Sequence, residues 1–65
     1  MDRLRKLRKE RNVTQQELAD DMLVTIRTLA RYESGEREPR VSILIDLADY
    51  FKVSIDYLVG RIDVR

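Results

Sequence analysis

Apolar residues recur at helical spacing along most of the chain. Leu4 and Leu7 lie three apart in the polar run Asp2–Arg11, which predicts a first helix with one apolar face. Asn12 follows at a position where a helix end favours a left-handed residue. Thr14 and Glu17 have capping-box spacing, and Val13 and Leu18 flank them as a hydrophobic staple, so a second helix starts there. The signature recurs at Thr25, between Val24 and Leu29, and predicts a third helix to about Ser34, ended by Gly35. The polar loop Glu36–Arg40 contains Pro39. Val41–Phe51 then reads as a fourth helix, apolar nearly all round and therefore expected at the centre. A fifth helix starts at Ser54, stapled by Val53 and Leu58, and stops at Gly60. The expected core is Leu4, Leu7, Leu18, Ala19, Met22, Val24, Leu29, Leu44, Leu47, Ala48, Phe51, Val53 and Leu58. Ile62 and Val64 alternate with charged residues, so the tail from about 61 to 65 reads as either a short extended segment or a frayed end.

The link between the second and third helices is too short to fold them antiparallel, so they must cross at a large angle. Arg27 and Arg31 fall on the outward side of the third helix. A helix held out from a compact body with basic groups on its free face has the shape needed to enter a DNA major groove. In order and without a gap, the chain carries Leu4, Leu7 and Arg8; Thr14-Gln15 and Glu17-Leu18-Ala19; Val24-Thr25, Leu29, Arg31-Tyr32-Glu33 and Gly35. Pro39, Leu47-Ala48, Phe51, Val53-Ser54 and Asp56-Tyr57-Leu58 follow, then Gly60. Each of these is weak alone, but together they are specific. The chain resembles the Cro and phage-repressor type of helix-turn-helix family, also called the xenobiotic-response-element family of bacterial regulators. The resemblance covers Leu4 to about Gly60. It implies an all-α, compact five-helix, lambda-repressor-like DNA-binding domain with the helix-turn-helix at its second and third helices.

Composition narrows the alternatives. Sixty-five residues allow a single domain, 1–65, near the lower limit for folding without staples. With neither Cys nor His there is no disulfide, no expected zinc site and no Ser-His or Cys-His pair. No enzyme, cofactor or metal is therefore expected. No stretch approaches a membrane span and no signal peptide is read, so a cytoplasmic protein is expected. The net charge is only +1, low for a DNA binder, but the charges are unevenly placed. Arg3, Arg5, Lys6, Arg8, Lys9 and Arg11 crowd the first helix, while Glu17, Asp20 and Asp21 make the second acidic. Asp20 and Asp21 are expected to point away from DNA, and Gln15 to approach it.

The resemblance implies a sequence-specific transcriptional regulator, a repressor, that inserts Ile26–Ser34 into the major groove of a palindromic operator as a homodimer. It places Gln15, Thr25, Ile26, Arg27, Thr28, Arg31, Arg37 and Arg40 at the DNA. Gln15 would meet a phosphate at a helix N-terminus. Arg27 would read a guanine and Ile26 a thymine methyl, while Arg31 could serve a base or a phosphate. Arg37 and Arg40 would grip phosphates, or carry ordinary loop charge. Thr25 is needed as a cap in any case. Arg8 and Glu33 match a pair that, in the family, ties the first helix to the end of the third. Tyr50, Tyr57, Val59 and the tail are the candidates for a dimer contact. The chain departs from the pattern at Leu23 and Lys52, where Gly is common, and at Ile26, where a polar residue is usual. Leu23 must take a strained positive φ or reshape the turn by packing inward. The acidic second helix, the low charge, Leu23 and Ile26 also fit an alternative: a protein-interaction or anti-repressor module.

Overall fold

The structure, a computed structural model, describes residues 1–65 and contains five helices and no strand. They are α1 (Asp2–Glu10), α2 (Gln15–Met22), α3 (Ile26–Ser34), α4 (Val41–Phe51) and α5 (Ile55–Leu58). Side-chain caps set three of the starts. Thr14 Oγ1 accepts from the Glu17 N–H at 3.0 Å, and the Glu17 carboxylate accepts from the Thr14 N–H at 3.1 Å, closing the box. Thr25 Oγ1 accepts from the Thr28 N–H, and Ser54 Oγ from the Tyr57 N–H. No helix is long and apolar enough to cross a membrane.

Left-handed residues follow four of the helices: Asn12 and Gly35, as expected, have φ of 56° and 85°, and Leu23 and Lys52, which stand where Gly is common, have 59° and 56°. Leu23 resolves one open question. It takes the strained conformation, and its side chain is 92% exposed, so it does not pack inward. The left-handed region costs a non-glycine residue roughly 1–2 kcal/mol. An exposed side chain offers little packing to set against that. Leu23→Gly is therefore expected to be neutral or stabilising by up to about 1 kcal/mol. A thermal melt checks this, and a fall in the midpoint would show that Leu23 contributes packing after all.

The core is one cluster drawn from every helix: Leu4 and Leu7; Leu18, Ala19 and Met22; Leu29 and Tyr32; Leu47, Ala48 and Phe51; Tyr57 and Leu58. Three expected members, Val24, Leu44 and Val53, are only half-buried against it. Tyr32 and Tyr57 take interior places instead. Tyr57 is 4% exposed, which removes it from the candidates for a dimer contact. Pro39, expected in a polar loop, is buried. The fourth helix is less central than its composition implied. α4 buries Leu47, Ala48 and Phe51 but leaves Val41 and Ile45 exposed. It packs chiefly against α2 and α5.

The tail forms neither strand nor loose end. Arg3 of α1 donates to the Ile62 carbonyl and pairs with Asp63 at 2.6 Å. Arg65 pairs with Glu10 at 2.7 Å, and its carbonyl accepts from the Ser54 N–H. Both guanidiniums also lie over the Tyr57 ring, with Arg3 at 4.4 Å from its centroid and Arg65 at 5.4 Å. The segment is an irregular strap across α1 and α5.

Candidate nucleic-acid interface

The site is organised around the buried carboxylate of Glu33, on the last turn of α3. Arg8 of α1 donates to it through Nε at 2.6 Å and through a terminal amino group at 3.3 Å. The same guanidinium also donates to the Val13 carbonyl at 2.9 Å. Gln15, the first residue of α2, donates its amide to Glu33 at 3.0 Å. Arg5 lies 3.7 Å away. One carboxylate thus joins α1, α2 and α3 and sets how α3 is presented. No buried side-chain polar atom in the chain lacks a partner, so the cost of burying this charge is met by hydrogen bonds.

Burial pushes the Glu33 carboxyl up, but the hydrogen bonds from Arg8 and Gln15 and the charges of Arg8 and Arg5 outweigh it. The group is held below its ordinary value of 4.5. A depressed folded-state value means that its contribution to stability is present above about pH 4.5 and is lost as pH falls through the folded value. Thermal midpoints measured between about pH 3 and 6 should fall with acid in the wild type. In Glu33→Gln they should fall less, so that the two chains converge at the acid end. Parallel curves would contradict this.

Two open concavities flank α3. One is lined by Arg5, Gln15, Arg27, Ala30, Arg31, Ser34 and Glu36. The other, between the helix-turn-helix and the start of α4, brings together Thr25, Thr28, Arg37 and Arg40 with Ser42, Asp46 and the apolar Met22, Leu23, Val24, Tyr32 and Ile43. Ile26 lies outside both, 43% exposed. The eight residues expected at DNA therefore fall on α3 itself or on one of its two flanks. Arg27, Arg37 and Arg40 form no ion pair within the chain, so their donors are available. Thr28 is committed in part, since the hydroxyls of Thr25 and Thr28 bond each other at 2.9 Å. Gln15 shares one amide hydrogen with Glu33 and keeps the other, together with the free first-turn N–H groups of α2.

Sequence reading missed Arg5 and Glu36. Arg5 stands three residues before Arg8 on α1, which is the one signal that it shares the face turned toward Glu33. Nothing local marks Glu36. Of the acidic residues of α2, Asp20 accepts from Gln16. Asp21 stands near Tyr50 of α4, whose phenol is raised by burial and by that neighbouring carboxylate. Neither aspartate lines the concavity that holds Gln15 and Arg27.

Comparison with known proteins gives the same assignment. A family model described as helix-turn-helix matches residues 4–58. The chain is 40% identical over 60 residues to the cryptic phage CTXphi transcriptional repressor RstR of Vibrio cholerae, covering 92% of this chain and 54% of that protein. It is 44% identical over 61 residues to the transcriptional regulator AnsR of Bacillus subtilis, covering 94% of this chain and 53% of that one. Against the transcriptional activator BcrR of Enterococcus faecalis it is 33% identical over 59 residues, covering 91% of this chain and 29% of that protein. The chain spans about half the length of the first two relatives. No solved structure matches. With a family model over residues 4–58 and a fold that presents α3 on a capped turn after α2, the chain belongs to the helix-turn-helix family.

Proposed function

We propose that the chain is a sequence-specific DNA-binding transcriptional regulator that represses by seating α3 in the major groove of a palindromic operator. The observation that carries this reading is the free face of α3. Ile26 and Arg27 stand exposed at its start, Arg31 follows one turn later, and the basic concavities lie on either side. Arg27 supplies an unpaired guanidinium whose fork matches guanine O6 and N7, and Ile26 supplies an apolar contact for a thymine methyl. Gln15 on one flank, and Arg37 and Arg40 on the other, would meet phosphates of the two groove walls, and their positions in the two concavities support this. Thr25 and Thr28 line the same groove as Arg37 and Arg40. The repressor RstR supports the regulatory direction, although BcrR carries the name of an activator.

A homodimer follows from the need to read two half-sites about one turn apart. With Tyr57 buried, the apolar surface away from α3 that is open to a second copy includes Val41 and Ile45 of α4, Val59 after α5, and Ile62 and Val64 of the tail, with Tyr50 half-buried beside them in the candidate set. The exposure of Leu23 and Ile26 favours the second reading, a protein-interaction module. Selection of bound duplexes from a random pool, followed by titration at rising salt, separates the two. A regulator should enrich a two-fold symmetric sequence and bind it with an affinity that falls steeply with ionic strength. An interaction module should enrich nothing.

A further inference from the structure

Arg31 and Glu36 form the ion pair nearest the reading face of α3, with Arg31 Nε 3.6 Å from Glu36 Oε2. The pair is built by the turn that ends the helix. Gly35, at φ +85°, swings the chain back over the last turn. The Ser34 hydroxyl donates to the Arg31 carbonyl and accepts from the Glu36 N–H, and the Arg37 N–H donates to that same carbonyl. Glu36 is thus anchored beside Arg31, and it is the one acidic residue in the concavity shared with Arg5, Gln15 and Arg27. Both side chains are well exposed, at 40% and 68%, and an ion pair in that setting adds little to stability. A carboxylate facing the phosphates would also oppose binding. Orientation is the role left for it.

We infer that Glu36 is a positioning residue that makes Arg31 a base reader. The inference rests on the DNA-binding reading above. The carboxylate lies nearest Nε, at 3.6 Å, and neither terminal amino group of Arg31 has an acceptor within the chain, so both remain free to act as a fork. That end-on fork is what guanine O6 and N7 accept. The negative charge at the rear also disfavours swinging Arg31 outward onto a phosphate, because the phosphate would have to approach Glu36.

The test has two arms. In the free protein, Glu36→Ala should shift the Arg31 Nε–H resonance, and the conservative Glu36→Asp should shift it less. An unmoved resonance overturns the inference whatever the chain does with DNA. In the second arm, wild type, Glu36→Ala, Arg31→Ala and the double variant are titrated against single-base variants of the selected operator. Glu36→Ala should flatten the preference at the base pair read by Arg31 by roughly five- to tenfold. The double variant should lose no more there than Arg31→Ala alone. A uniform rise in affinity with an unchanged profile overturns the inference, since Glu36 would then be only a repelling charge. So does a loss at a base pair that Arg31→Ala leaves untouched. A wild type without any sequence preference overturns the DNA-binding reading itself, and this inference with it.

Discussion

Arg8→Ala should destabilise the fold by roughly 3–5 kcal/mol, the range for removing one partner of a buried ion pair. The Arg8 side chain is 12% exposed and that of Glu33 is fully buried, so the carboxylate left behind cannot reach water. Gln15 would still donate to it, but the only remaining positive charge is Arg5 at 3.7 Å, on a side chain 48% exposed. Arg5→Ala should therefore cost less than about 1 kcal/mol, as exposed pairs do. For a domain of this size each kcal/mol moves the midpoint by about 4–8 °C, so Arg8→Ala should melt more than roughly 10 °C lower. Exchanging both partners at once, Arg8→Met with Glu33→Leu, should be milder than either single loss, since no charge is then left buried. Thermal melts of these variants, with Glu33→Leu alone beside them, give the ranking. An Arg8→Ala melt no lower than that of Arg5→Ala would mean that the Glu33 junction does not hold the three helices.

Arg27→Ala should weaken binding to the best operator by about 1–3 kcal/mol and flatten preference at one position in each half-site. Arg27 sits in the first turn of α3, exposed and without an ion pair, with Arg31 one turn on along the same face. Arg40→Ala should act differently. Arg40 lies at the start of α4, exposed and lining the same concavity as Arg37, away from the face that carries Arg27. Its loss should weaken all sequences alike and lower the salt slope by about one unit. Titrations on single-base operator variants distinguish the two. A uniform loss with Arg27→Ala would make Arg27 a phosphate contact.

What could be read in the sequence was what local rules govern. Thr14, Thr25 and Ser54 cap by contacts three residues long, and the left-handed Asn12, Leu23, Gly35 and Lys52 end helices by their own backbone conformation. The expected residues of the site also fall on or beside α3, because helical spacing alone puts Arg27 and Arg31 on one face. Errors arose where distant segments meet. Tyr32 and Tyr57 exchange burial with Val24, Leu44 and Val53, and this depends on how five helices close rather than on any one pattern. Val41 and Ile45 of α4 stay exposed, although their apolarity pointed inward. The strap of the tail depends on Arg3 meeting Asp63, sixty residues away in sequence, through a contact that no spacing signals. Arg5 and Glu36 enter the α3 concavity for the same reason.

The central claim, that DNA is held on the α3 face, is tested most directly by titrating the isotope-labelled chain with its selected duplex and mapping the amide shifts. The largest changes should fall on Gln15, Thr25, Ile26, Arg27, Thr28, Arg31, Arg37 and Arg40. An unrelated duplex should perturb Gln15, Arg37 and Arg40, the proposed phosphate contacts, more than Ile26 and Arg27. Shifts confined to the tail and to the face of Val41, Ile45 and Val59, with α3 silent, would contradict the account.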